Sequence, residues 1–397
     1  MNLQILGGCR RVLAAGWLVL GLIAAGHGVS QAQANRLLDV PDIHLVLTSY
    51  VLIEASTGTV VKEHQSHQAI QPASLTKLMT AYVLGQSLKN GSVTLQQKVT
   101  ISRNAWRIPG STMFLEAGDK VTVEQLILGL VVHSGNDAAV AIAELVAGSV
   151  SGFVELMNRE ARRLGMQHTY YRNPNGLPEE GQQSTAMDTV TLTRALINDH
   201  PQLYHNFYSV KSFTYRDIKQ LNRNRLLWQD EGYDGVKTGH IEEAGYHVVV
   251  SAQRNGMRMI GVLLGAKNEN ARTAQARKLM DWGFRHFHLY NLYQPFTPLG
   301  EVRVWMSDLP SVQVGVAKPV IMLLARERSH RIRAKLLLVQ HQRAPIERGT
   351  NMGELVIGLE EEELKRVPLI ALTEATRGDF FTRVIDWCKL QLLRFNE

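Results

Sequence analysis

The chain has 397 residues, of which 45% are apolar and 20% charged, with a formal net charge of +7. These proportions exclude a disordered chain and allow two or three units with their own cores. The basic excess is spread along the sequence without a Lys/Arg block or an aromatic RNA-binding signature, which argues against nucleic acid as a partner.

In chain order, Arg10 and Arg11 precede an apolar run from Val12 to Gly26, and Ser30-Gln31-Ala32-Gln33-Ala34 follows. A basic start, a short apolar stretch and alternating small residues read as a secretory signal peptide over residues 1–34, cut after Ala32 or Ala34. The run is too short and glycine-rich for a membrane span. Leu6-Gly7-Gly8-Cys9 looks like a lipidation motif but stands on the wrong side of the apolar run. With Cys9 removed, Cys388 is the one remaining thiol, so the mature chain has no internal disulfide.

Ser49–Lys62 forms β-rich runs around Ser56-Thr57-Gly58, a hairpin pattern. A second hairpin is predicted where His247–Arg254 and Met257–Gly265 flank Asn255-Gly256. Between them lie helical patterns over Leu75–Leu88, Val123–Val132, Asp137–Ala147, Gly152–Leu164 and Thr189–Asn198. An antiparallel sheet from terminal hairpins with a helical block inserted is an α/β (α+β) architecture. A helix over Ala271–His288 closes it. Short alternating runs follow at Glu301–Met306, Ser311–Gly315, Val320–Ala325, Ile332–Gln340 and Glu354–Leu359, the texture of a small all-β unit.

The tail from Asp379 is amphipathic. Phe380, Phe381, Val384, Ile385, Cys388, Leu392 and Phe395 share an arc of about 140° on a helix, with Arg383, Asp386, Lys389 and Arg394 on the remainder. Leu390 and Leu393 interrupt the polar side. The pattern fits an in-plane membrane anchor or a helix packed on the preceding unit, and its charges exclude a spanning helix.

Three short motifs carry chemistry. Ser74-Leu75-Thr76-Lys77 opens a helical run, where positions i and i+3 share a face. A serine hydroxyl needs an adjacent base, and a lysine can serve when burial lowers its pKa. Roughly one Ser-x-x-Lys is expected by chance in a chain this long, so alone it says little. Ser134-Gly135-Asn136 lies between two helical runs and could relay a proton and orient a substrate backbone. Ser102-Arg103-Asn104 fits the same pattern, and helix capping explains either one as well. Lys237-Thr238-Gly239 precedes the second hairpin, with a cation and a hydroxyl suited to a terminal carboxylate and a glycine permitting close approach. Its chance expectation is below ~0.1 per chain, which makes it the most specific of the three.

The order Ser-x-x-Lys, Ser-x-Asn, Lys-Thr-Gly is that of penicillin-binding proteins and class A β-lactamases. Within that superfamily the stretches Pro72–Val83, Met113–Ala143, Asp234–Tyr246 and Arg277–Phe287 resemble the serine D-alanyl-D-alanine carboxypeptidases of the type-5 penicillin-binding group. The resemblance covers essentially the whole mature chain. It implies a β-lactamase/transpeptidase-like catalytic domain over 35–290, a small β-sandwich-like domain over 291–375 and an anchor helix over 376–397. It also implies that Ser74 is the acylated nucleophile, Lys77 its base and Ser134 a proton relay. Asn136 would hold the substrate carbonyl, and Lys237, Thr238, Gly239 and Arg223 would form the carboxylate side. The backbone N–H groups of Ser74 and His240 would form an oxyanion hole.

The implied substrate is the peptidoglycan pentapeptide, with β-lactams as covalent inhibitors and neither metal nor organic cofactor. The implied place is the periplasmic face of the inner membrane, held peripherally. Two departures stand out: Ile241 replaces a frequent polar threonine, and the Trp106–Met113 segment is shorter than in some relatives. A β-lactamase would need a deacylating Glu in a Glu-x-x-Leu-Asn pattern, which is absent. Glu179 and Glu180 lie in a different context, after Gly176-Leu177-Pro178. A D,D-endopeptidase would use identical chemistry. A metallopeptidase would have only His286-x-His288 to start from, and a non-enzymatic envelope scaffold would not need complete motifs.

Overall fold

The computed structural model describes residues 40–360 and 362–396. The expected signal peptide, residues 1–34, lies outside the described residues. Two compact units divide the described chain, Pro41–Arg285 and the residues from His286 onward.

In the first unit, β1 (Ser49–Glu54) and β2 (Val60–His64) form the opening hairpin. The helical block follows: α1 (Lys77–Lys89), β3 (Lys98–Thr100), α2 (Arg103–Arg107), β4 (Lys120–Thr122), α3 (Val123–Leu128), α4 (Asn136–Ala147), α5 (Val150–Arg163), α6 (Ala186–Asp199) and α7 (Pro201–Phe207). A small hairpin, β5 (Ser212–Tyr215) and β6 (Ile218–Leu221), leads to β7 (Tyr233–Ile241), β8 (Gly245–Arg254) and β9 (Met257–Ala266). The main sheet runs β2-β1-β9-β8-β7, antiparallel throughout, so the sequence-distant hairpins do meet. Asn255 and Gly256 both take positive φ, +50° and +76°, the backbone that a two-residue hairpin loop with the strands' own twist demands.

Local chemistry sets the helix starts. Thr122 and Gln125 form a reciprocal capping box, and Ser149 and Thr185 cap α5 and α6 by accepting from Gly152 and Asp188 N–H. Helix α4 is buried nearly all round from Asn136 to Ala143, and its run of alanines lets the surrounding helices approach closely. This places the Asn136 end of α4 inside the unit, where a polar side chain must find partners.

Helix α8 spans Glu269–His286, two residues short of the predicted end. Phe287 to Tyr293 is instead β10, because its aromatic-rich run finds a distant antiparallel partner in β13 (Val320–Ala325). His286 therefore ends a helix and His288 sits in a strand.

The rest of the second unit is a six-stranded sheet of β11 (Gly300–Trp305), β12 (Ser311–Val316), β14 (Ile332–Leu338), β15 (Gln342–Arg343), β16 (Asn351–Leu359) and β17 (Glu362–Ala371). Its order is β14-β16-β17-β12-β11-β15. Strand β17 was hidden in the sequence by its Glu/Lys/Arg content and is held by its long pairing with β16.

The tail forms α9 (Phe380–Asn396). Asp386 accepts the Met306 N–H at 2.8 Å and Leu390 is 2% exposed, so one side of the helix is docked on its own unit. That accounts for Leu390 on the polar side. Phe380, Phe381, Ile385 and Leu392 remain more than half exposed. The side chains of Arg394 and Phe395 lie outside those described.

Candidate active site

Pro72 to Lys77 forms a tight 3-10 turn that runs straight into α1, putting the Ser74 and Lys77 side chains together. Ala73 adopts φ +50° in this turn, and the Gly176 backbone lies against its carbonyl. A Cβ on Gly176 would fall 1.9 Å from that oxygen, so only glycine fits there. The loop carrying Gly176 is fixed by its own side chains: Asn173 accepts the Gly176 N–H, and Gln182 accepts from Arg172 and Asn173 N–H.

Lys77 is 1% exposed, and its Nζ donates to Ser74 Oγ at 3.0 Å, Asn136 Oδ1 at 2.7 Å and the Asn175 carbonyl at 2.5 Å. Three acceptors use all three protons of an ammonium. Burial, and then the nearby positive charge of Arg223, pull the Lys77 pKa down to about 7, while Asp137 opposes the shift. Once neutral, the amine has a lone pair that can accept the Ser74 proton along the contact already made.

Ser134 closes a π-helical turn, Gly129–His133, in the left-handed conformation with φ +67°. Its hydroxyl accepts from Lys237 Nζ at 2.9 Å. Asn136 holds three elements at once, since Nδ2 donates to the Pro109 carbonyl at 2.7 Å and its N–H donates to the Ser111 carbonyl at 2.6 Å. One Nδ2 proton is left for a ligand. The short Trp106–Met113 segment thus supplies the wall that seats Asn136. The buried Asp137 carboxylate accepts the Thr112 hydroxyl and the backbone N–H groups of Met113, Leu115 and Ala138, which staples the same segment to α4.

Lys237, Thr238, Gly239 and His240 lie on β7, the edge strand of the main sheet, beside the Ser74 turn. A Cβ on Gly239 would come within 3.3 Å of the Pro72 carbonyl and of Ala73 Cβ, so the strand can approach the turn this closely only without a side chain. Lys237 is buried, and its pKa is well below the ordinary lysine value through burial and the charges of Lys77, Arg223 and Arg272. Among the described residues the Thr238 hydroxyl has no hydrogen-bond partner. His240 is exposed and stacks on Tyr246 with ring centroids 3.9 Å apart.

Arg223 is exposed on a loop clamped at both sides. Asn222 donates to the Val210 carbonyl, Asn224 to the Gly235 carbonyl, and Arg272 to the carbonyl of Arg223 itself. Its charge reaches both lysines. Every site residue expected from the sequence therefore lies on three adjoining elements, the Ser74 turn, the Ser134 turn and β7, or on the Arg223 loop.

Sequence reasoning missed the Asn175 carbonyl, Asp137, Arg272 and His247. His247 Nδ1 accepts the Gly265 N–H at 3.0 Å, which leaves Nε2–H to face the Gln71 carbonyl at 3.3 Å, just ahead of the nucleophile turn. The Asn173-Pro174-Asn175-Gly176 run was a turn signal that could have pointed to the first of these. Glu179, weighed as a deacylating base, is exposed and accepts from Asn173 Nδ2. Among the described residues neither Ser74 nor Lys77 is bonded to a carboxylate.

Comparison with known proteins agrees with this arrangement. The family described as "D-alanyl-D-alanine carboxypeptidase" matches residues 38–268, and "Penicillin-binding protein 5, C-terminal domain" matches 287–377. D-alanyl-D-alanine carboxypeptidase DacA of Escherichia coli is 37% identical over 381 residues, 94% of each chain. Penicillin binding protein 5 from Haemophilus influenzae superposes with a TM-score of 0.78 at 34% identity, covering 85% of this chain and all of that one. Penicillin-binding protein D2 from Listeria monocytogenes, solved in an ampicillin-bound form, gives a TM-score of 0.57 at 28% identity, covering 62% of this chain and all of that one. The chain belongs to the D-alanyl-D-alanine carboxypeptidase family of serine peptidases, with a C-terminal domain of the penicillin-binding protein 5 type.

Proposed function

We propose that Ser74 is the acylated nucleophile in removal of the terminal D-alanine from peptidoglycan stem pentapeptides, with Lys77 as its base. The observation that carries this reading is the buried Lys77 amine, 3.0 Å from Ser74 Oγ with its pKa brought down to about 7. Ser74 Oγ gives its proton to Lys77 Nζ and attacks the carbonyl between the two D-alanines. The oxyanion meets the backbone N–H groups of Ser74 and His240. Ser134, bonded to Lys237, passes a proton to the departing amine, and D-alanine leaves. Water then adds to the ester with Lys77 taking its proton, and the shortened peptide is released. Asn136 Nδ2 holds the substrate carbonyl, while Lys237, Thr238 and Arg223 hold the terminal carboxylate beside Gly239.

Penicillin presents the same carbonyl and carboxylate, but its leaving group stays tethered, so the acyl-enzyme persists. The ampicillin-bound relative supports this part. The test is intact mass after mixing with penicillin. A long-lived single adduct, lost in Ser74→Ala, is expected. No adduct rejects the site, and a transient adduct with penicillin consumed reassigns the enzyme to β-lactam hydrolysis.

The exported chain is held peripherally on the periplasmic face of the inner membrane through α9. No single described helix is long and apolar enough to cross a membrane. The exposed arc of Phe380, Phe381, Ile385 and Leu392 offers several large side chains, each worth roughly 1.5–3 kcal/mol if fully buried, which suits reversible in-plane binding. Truncation after Thr376 should release the protein from membranes and leave peptide hydrolysis intact. Truncated protein still sedimenting with membranes would reject the anchor.

A further inference from the structure

We propose that His133 is a positioning residue for carboxylate recognition, its imidazole tying the Ser134 turn to the strand that leads into Arg223. The inference rests on the reading of Lys237 and Arg223 given above. His133 ends the π-helical turn and immediately precedes Ser134, and the β5–β6 hairpin packs against that turn. Its Nδ1 is buried without a partner, which leaves Nε2 to meet the Leu221 carbonyl two residues before Arg223. The hairpin adds a second orphan acceptor, Gln220 Oε1, on a side chain only 2% exposed. The interface is thus short of a donor, and a proton on His133 Nδ1 would supply one.

The charges around the ring decide when that proton arrives. Arg223 from the loop after β6 and Lys237 from β7 oppose it, Asp137 from α4 favours it, and burial weighs against it, so His133 titrates below its ordinary value. A substrate carboxylate set between Arg223 and Lys237 cancels the opposing field. Binding of the acid end is then coupled to proton uptake at His133, which draws the Ser134 turn and the Arg223 strand together.

His133→Gln keeps a donor for the Leu221 carbonyl but cannot titrate, whereas His133→Leu removes the donor. The probes are an N-acylated tripeptide ending in D-Ala-D-Ala and the same peptide with its terminal carboxylate amidated. His133→Leu should raise KM for the acid about tenfold at pH 7 with kcat within about twofold, and should leave the amide nearly unaffected. His133→Gln should restore KM at pH 7. It should also lose several-fold of the parent's extra tightening between pH 8 and 6. Equal effects on acid and amide, or a parental KM profile in His133→Gln, would overturn the role. If His133→Leu does not fold, the His133→Gln profile decides alone. A parent that forms no penicillin adduct would reject the site reading itself, whereas a parent that acylates while both variants match it rejects only His133.

Discussion

The two units bury different things. Among the described residues, every buried polar or charged side chain but Ser307 belongs to Pro41–Arg285, including two lysines and Arg272. The unit from His286 onward fills its interior with Val, Leu, Ile and Met, such as Val314, Leu355, Ile357 and Met352, and keeps its charges on the surface. Desolvated cations cost several kcal/mol unless their protons find acceptors, so the first unit spends stability on holding reactive groups where water cannot relax them. The second has the composition of a support. A large site and a dry core thus reflect opposite uses of burial within one chain.

Four changes would break or sharpen that contrast. Ser74→Ala should reduce peptide hydrolysis by on the order of 10^6-fold, the size met when a serine nucleophile is removed elsewhere, while thermal unfolding stays close to the parent's. Leu355→Ala, at a fully buried position in the second unit, should cost about 2–5 kcal/mol in urea unfolding. The penicillin acylation rate of the folded fraction should not change; a matching loss of acylation would mean the core of the second unit shapes the site.

The third concerns acid. Burial drives the His247 pKa down to about 4, below its unfolded value of about 6.5. Between those values the unfolded chain binds a proton that the folded chain refuses, so stability is full above pH 6.5 and falls as pH drops. The expected loss is about 2 kcal/mol by pH 5 and is read as a falling urea midpoint. His133 and His200 are also depressed by burial and add in the same direction. A midpoint flat from pH 7 to 5 would refute the buried neutral imidazole. The fourth is the smallest per step. Neutral Lys77 becomes scarce below pH 7, so single-turnover acylation should slow about tenfold per unit, or about 1.4 kcal/mol. A rate independent of pH between 5 and 7 would remove Lys77 as the base.

How far the sequence was legible depended on whether a signal was local. Asn255-Gly256, Thr122 with Gln125, and the Ser74–Lys77 spacing are short-range statements, and each produced the geometry it implies. Ser102-Arg103-Asn104 shows the limit: the same triplet pattern as at Ser134 is a helix cap, with Ser102 accepting the Ala105 N–H. Only the fold separates them, by bringing Lys237 to Ser134 from 103 positions away. Backbone groups were invisible for a different reason. The Asn175 carbonyl on Lys77 carries no residue signature, because any side chain at that position would expose the same oxygen. Strand β10 was misread because pairing with β13 is decided by residues more than thirty positions on, as in Phe287 with Ala325.

The docked side of α9 has a mechanical consequence. Asp386 is fastened to the Met306 backbone and sits 3.8 Å from Arg303, while Leu390 is sunk one turn further along the same side. A helix pinned at two successive turns cannot roll about its axis. Its Phe380–Leu392 arc therefore faces one fixed direction from the β unit, more like a keel than a rope. Were that arc to rest on a bilayer, the β unit would stand at a set azimuth and tilt, and a single helix would specify orientation as well as attachment.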